Sequence, residues 1–275
     1  MFVPYKLRDW IDINKLDWWG LSNNPNAIRL LEENFNKIDW WTFSSNPNAI
    51  HILEDNIDKI DWWTLSSNPN AIHLIEDKIK VDKFEIDWWY LSMNENAIDL
   101  IKKYPNEIHW DILSLNPNGI ELLEQNPDKI DWMNLSENPN AIHILERNRS
   151  KIRWDALSEN PNAIKMLERN KNKIDWKCLS LNYNAIDLIE KNLERIDWWN
   201  LSKNENAIYI LEKNKDKIDW GEISSNPSIF EIDYHFLQDN ISVLKQELME
   251  KVFHPCNLEY YLVKYNYDIN EDIYI

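Results

Sequence analysis

Apolar positions in this chain recur on a fixed grid. A Trp that follows an Ile-Asp-like pair stands at positions 18, 40, 62, 88, 110, 132, 154, 176, 198 and 220. Successive steps are 22 residues, except for one of 26 between Trp62 and Trp88, where four extra residues fall within 78–85. Each copy reads close to K-I-D-W-x-x-L-S-x-N-P-N-A-I-x-L-L-E-x-N-x-x. The Trp, Ser (Ser22 to Ser224) and first Asn (Asn24 to Asn226) columns are filled in all ten copies. A need that recurs in every copy points to packing and backbone satisfaction, because a catalytic residue is needed once.

Two helices are predicted per copy. In the first, an Asp such as Asp61 can cap, and Trp62 and Leu65 share a face at i, i+3; His109 and Arg153 replace the Asp twice. In the second, Asn68 has N-cap chemistry and Pro69 sits where its missing N–H costs nothing. Ala71, Ile72, Leu74 and Ile75 then form one apolar face, over roughly nine residues. Asn at the end of this helix (Asn34, Asn56, Asn126, Asn148) suits a left-handed C-terminal residue. A leucine-rich repeat also has a period near 22, but it needs an apolar residue two before the Leu. Here that place holds Asp111, Asp155, Lys177 and Gly221.

So short a pair of helices is unstable alone and must stack on its neighbours. The predicted fold is all-α: an α-solenoid of ten two-helix 22-residue repeats spanning 16–230. Residues 1–15 form an N-terminal cap, and 231–275 a helical C-terminal cap with an aromatic tail that includes His254 and Cys256. At about 10 Å per step the array would extend about 100 Å. The constant Trp is expected to fill the groove between repeats. The second Asn (Asn26 to Asn206) could form a ladder between turns. Glu32, Glu54 and Glu124 precede Lys37, Lys59 and Lys129 by five, and Lys102 with Glu107 exchanges the signs, which suggests ion pairs.

Composition narrows function. Acidic residues outnumber basic ones 47 to 30, for a net charge of −17. This counts against phosphate binding, so nucleic acid is an unlikely partner. It also counts against an anionic membrane, and it would suit a basic partner. No run of apolar residues is long enough for a membrane span. Cys178 and Cys256 belong to no motif, so no disulfide framework is indicated and a reducing compartment is expected. No nucleophile, phosphate-loop or zinc motif occurs. His51 and His73 share a column but belong to successive repeats, about 10 Å apart, too far for one metal ion. Neither enzyme chemistry, nor a metal, a cofactor or a small-molecule substrate is expected.

In a repeat array, function sits in the variable exposed columns. The residue after the constant Trp reads Trp19, Trp41, Trp63, Trp89, then Asp111, Met133, Asp155, Lys177, Trp199 and Gly221. A column that accepts Asp, Lys and Gly is at least partly exposed, so four Trp in succession make an aromatic stripe. Trp19, Trp41, Trp63 and Trp89, with Tyr90 beside them and His51 and His73 on the second helix, are the candidate partner-binding residues.

The units S-x-N-P-N-A-I-x-L-L-E-x-N-x-x-K-I-D-W, with the closing V-F-H-P and Y-N-Y-D, resemble tandem-repeat proteins of giant, mimivirus-type DNA viruses of amoebae. The resemblance covers nearly the whole chain. It implies a viral product in host cytoplasm or in the particle, and it implies no activity. The expected function is a protein-interaction scaffold that captures a host or viral protein. The alternatives are a structural component of virion or viral factory and, less favoured, a single-strand nucleic-acid reader.

Overall fold

The computed structural model describes residues 4–239. The chain divides into two compact bodies: residues 7–230, and a smaller one made of residues 1–6 with 231–275. The strands Tyr5–Leu7 and Phe230–Ile232 pair in a two-stranded sheet. Lys6 and Glu231 meet at 3.4 Å. Residues 234–239 are helical. The rest of the predicted C-terminal helix, and the tail with His254 and Cys256, lie outside the described residues.

The larger body is mostly helical. Each of the ten repeated Trp opens a short α-helix, from Trp18–Asn23 to Trp220–Ile223. The Asp before it caps as expected: the Thr64 N–H donates to Asp61 Oδ1 at 2.9 Å. His109 and Arg153 make no such bond. The second helix starts at the Ile of N-A-I and is shorter than predicted, typically six residues, as in Ile28–Glu33. The first Asn serves the turn ahead of it, Asn68 Oδ1 accepting from the Asn70 N–H at 3.0 Å. The Asn at its C-terminus is not left-handed: Asn34 has φ −127°. Its amide instead donates to the Leu30 carbonyl four residues back, at 3.0 Å. Asn56, Asn126 and Asn148 do the same. A third element that the sequence pattern did not predict follows, a one-turn 3₁₀ helix such as Phe35–Lys37. The four extra residues lengthen one second helix to eleven residues, Ile72–Asp82.

Three columns form the core. The Leu of the first helix (Leu21, Leu65, Leu91), the Ala of N-A-I (Ala27, Ala49, Ala71) and the second Leu or Ile of the second helix (Leu31, Leu53, Ile75) are fully buried. The Ser and first Asn columns are just as dry, although polar. Their hydrogen bonds explain this. Ser44 Oγ donates to the Trp40 carbonyl at 2.7 Å and accepts the Asp61 N–H of the next repeat at 3.0 Å. Asn68 Nδ2 bridges two carbonyls of the preceding repeat, Ser44 at 3.0 Å and Asn46 at 2.8 Å. Asn70 Nδ2 reaches back to the Pro47 carbonyl at 2.8 Å. Both Asn columns are therefore ladders. The insertion does not break them, since Asn94 still donates to Ser66 and Asn68.

The ladder closes on itself. Asn24 Nδ2 donates to the carbonyls of Ser224 and Asn226, at 3.0 and 2.9 Å. Asn26 Nδ2 donates to Pro227 at 3.0 Å, and the Asp17 N–H to Ser224 Oγ at 2.8 Å. These are the bonds made between consecutive repeats, now made between the first and the last. An extended array about 100 Å long with free ends is thus replaced by a circuit. The helix Trp18–Asn23 packs on Trp220–Ile223. Gly20 permits the approach, because a Cβ there would lie 2.8 Å from Ser224 Cβ. Residues 13–15 form a 3₁₀ turn like the one that ends other repeats.

The constant Trp is half-buried in all ten repeats, less enclosed than a groove-filling residue should be. A cation covers its open face. Lys37 stands 4.2 Å from the Trp18 ring, Lys151 4.3 Å from Trp132, and Arg195 4.3 Å from Trp176. This interaction also crosses the seam, with Lys15 over Trp220 at 4.8 Å. The Glu–Lys pairs spaced five apart do not form, because the Lys is turned to the indole. Glu32 and Glu54 meet His51 and His73 instead, at 3.4 and 2.9 Å. The sign exchange at Lys102 and Glu107 is not a pair either: Glu107 meets Lys83, and Lys102 meets Glu121. With no cation in that place, Tyr104 packs on Trp88 at 5.0 Å.

Two outcomes test this architecture. Asn138→Ala strips donors from the buried carbonyls of Ser114 and Asn116 and should cost about 2–5 kcal/mol in chemical denaturation. Gly20→Ala should loosen the seam alone, read as faster hydrogen exchange at the Asp17 and Leu21 amides with an unchanged helical spectrum.

Candidate functional site

The first helices of successive repeats pack directly on one another, whereas successive second helices touch little. In a closed circuit the more closely spaced series takes the inner path. At about 8–10 Å per helix, ten steps give a radius of about 13–16 Å to the helix centres. The buried Leu faces the second helix, so the opposite side of each first helix faces inward. That side carries two variable positions, one and five residues after the constant Trp, which lie together on a helix at i, i+4.

The first of these is the aromatic column. Trp19, Trp41, Trp63 and Trp89 are 40–61 % exposed. Trp19 and Trp41 stack at 6.5 Å with an interplanar angle of 22°. Trp89 meets Tyr90 edge-on at 5.0 Å. Closure adds a member that linear order sets apart. Trp199, 46 % exposed, is separated from Trp19 only by the repeat carrying Gly221, so five indoles line one arc. His51 and His73 do not join them. They project from second helices, each against a Glu of the preceding repeat.

The second position reads Asn23, Ser45, Ser67, Met93, Leu115, Glu137, Glu159, Leu181, Lys203 and Ser225. It lies between the constant Ser and Asn, two structural columns, and so attracts no notice in the sequence. Here the arc opposite the indoles is acidic. Burial raises the Glu137 carboxyl above its usual value. Glu159 is pushed up to about 7, by burial first and by Glu137 second, with Lys203 opposing. Lys203 belongs to the second repeat beyond Glu159, and its influence shows how this column converges. Neither Glu137 nor Glu159 has an ion-pair partner among the described residues, whereas Asp155 meets Arg153 at 3.4 Å. Lys203 lies 3.7 Å from the Trp199 ring and 2.9 Å from Glu222.

Other chemistry on this body is weaker. The Cys178 thiol is pushed up to about 12, by burial and then by Asp175 and Glu159, so it is a poor nucleophile. Two grooves of about 330 and 320 Å³ have equivalent linings 22 residues apart, including Glu146, Trp154 and Lys173 in one and Glu124, Trp132 and Lys151 in the other. They follow from the repeat itself. Among the described residues no cluster of His, Cys, Asp or Glu is placed to hold a metal ion, and no helix is long and apolar enough to cross a membrane.

The raised carboxyl predicts a pH dependence. The folded state holds the Glu159 proton more tightly than the unfolded chain, whose carboxyl has its usual value of 4.5. Stability from this group is therefore full below pH 4.5 and falls as pH rises toward about 7. Glu159→Gln should remove that decline, leaving the variant more stable than the parent at pH 8 in thermal melts. No family model, curated protein or solved structure matches this chain.

Proposed function

We propose that this protein is a non-catalytic interaction scaffold: a helical solenoid of ten two-helix repeats, closed on itself, that holds a protein partner against its inner face. The division of labour among the columns supports the reading. Every residue type that recurs in all ten repeats is absorbed by the core or the ladder. The side chains that differ from repeat to repeat include the exposed ones of the inner face.

The observation that carries the proposal is the arc of five exposed indoles. Isolated exposed apolar residues are ordinary, but a contiguous aromatic patch marks a contact surface. Trp is the residue type most enriched among the anchors of protein interfaces. A host or viral protein is the partner that fits the sequence resemblance. Enzymatic activity has no supporting constellation.

Replacing Trp19, Trp41, Trp63 and Trp89 together with Ser tests the proposal. These side chains are exposed, so the helical spectrum and the melting temperature should change little. Capture of the partner should be lost. Retained capture by a folded variant rejects the aromatic face as the contact.

A further inference from the structure

We propose that the inner face takes a Lys- and Arg-rich segment of a partner protein, seated with its cations over the indoles and against the acidic arc. This inference rests on the interaction-scaffold reading and names the chemistry of its partner.

Charge complementarity is the first argument. On the side away from the indoles the inner face presents Asp111, Glu137, Asp155 and Glu159. Glu137 and Glu159 are half-buried, close enough to repel and unpaired among the described residues. A carboxylate in that situation gains from a cation more than a solvated one does, since its desolvation cost is already met. A bound guanidinium would offset both the burial and the mutual repulsion, with charge-assisted hydrogen bonds to the two groups.

The second argument is a seat that the chain fills by itself. Lys203 lies over Trp199 with its ammonium against the Glu222 carboxylate. That is a basic side chain held between an indole of the inner face and an acid. Trp19, Trp41, Trp63 and Trp89 belong to the same column as Trp199, and no cation covers them among the described residues. The outer Trp column shows the contrast, because nearly every member there is already capped by a Lys or Arg of the chain. The inner indoles are the ones left for a cation from outside. Carboxylates on the opposite arc bring the two requirements of a basic peptide into one opening.

An octapeptide of alternating Arg and Ser is the probe, with alternating Gln-Ser and Glu-Ser peptides as controls. Binding is followed by tryptophan fluorescence and calorimetry at 0.15 M salt. The Arg peptide should bind saturably, and the controls should not. Glu137→Gln with Glu159→Gln should weaken it about tenfold or more, and so should the four-Trp variant. Glu33→Gln with Asp55→Asn, on second helices, should leave it unchanged. Binding should also release protons near pH 7, so that the calorimetric heat changes with the buffer's ionisation enthalpy. Absence of saturable binding, equal binding of the Gln peptide, or equal loss from the Glu33 and Asp55 variant overturns the proposal. If the Arg peptide fails while the four-Trp variant still loses its protein partner, the basic-segment proposal falls and the scaffold reading stands. If that variant keeps its partner, the scaffold reading falls too.

Discussion

A buried asparagine amide holds this protein together. One Nδ2 group donates to two backbone carbonyls of the repeat behind it, and the Oδ1 accepts an N–H of its own repeat. The helices are too short to satisfy their own backbone, and an unsatisfied buried carbonyl is costly. A side chain with two donor hydrogens and an acceptor on one planar head meets all three needs at once. Ser could not bridge two carbonyls, and Asp would offer no donor. The column is invariant for that reason. It also dictates the spacing of repeats, because the bridge works only at one offset between neighbours.

The remaining constants serve this bond. The Ser hydroxyl ties the end of one first helix to the start of the next repeat. The Ala keeps the backbone close enough for the amide to reach. The indole, shielded by a cation on its outer face, covers the joint where a bare apolar surface would meet water. Freed of structural duty, the inward side of the first helix can vary, and it has separated into an aromatic arc and an acidic one.

Much of this was legible in the sequence, since repetition converts one chain into ten observations. The period, the two helices, the capping Asp, the apolar columns and the second Asn ladder follow from residue types and their offsets. Three features did not. The pairing of Lys37 with Trp18, rather than with Glu32, depends on which side chains meet across a joint, and a linear offset of five cannot report that. The negative φ at Asn34 was hidden because Asn suits either a left-handed cap or a side-chain bond to the carbonyl four residues back. Closure was hidden because each joint looks the same whether the path curves or runs straight. Only the accumulated rotation over ten steps decides it, and no single residue encodes that sum. For the same reason the place of Trp199 beside Trp19 could not be read from its number, and Glu137 and Glu159 escaped notice between two invariant columns.

The seam at Gly20 and Ser224 has a consequence for how such a gene can evolve. An open tandem array gains or loses whole copies by unequal recombination and remains a working protein of another length. Here each joint contributes a fixed share of a full turn, so a ninth or eleventh copy would leave the ends mismatched in angle and height. The copy number is quantised by geometry. Length variation is diverted to places that do not alter the pitch, and the one surplus stretch in the chain, 78–85, extends a second helix and leaves the inner circuit untouched.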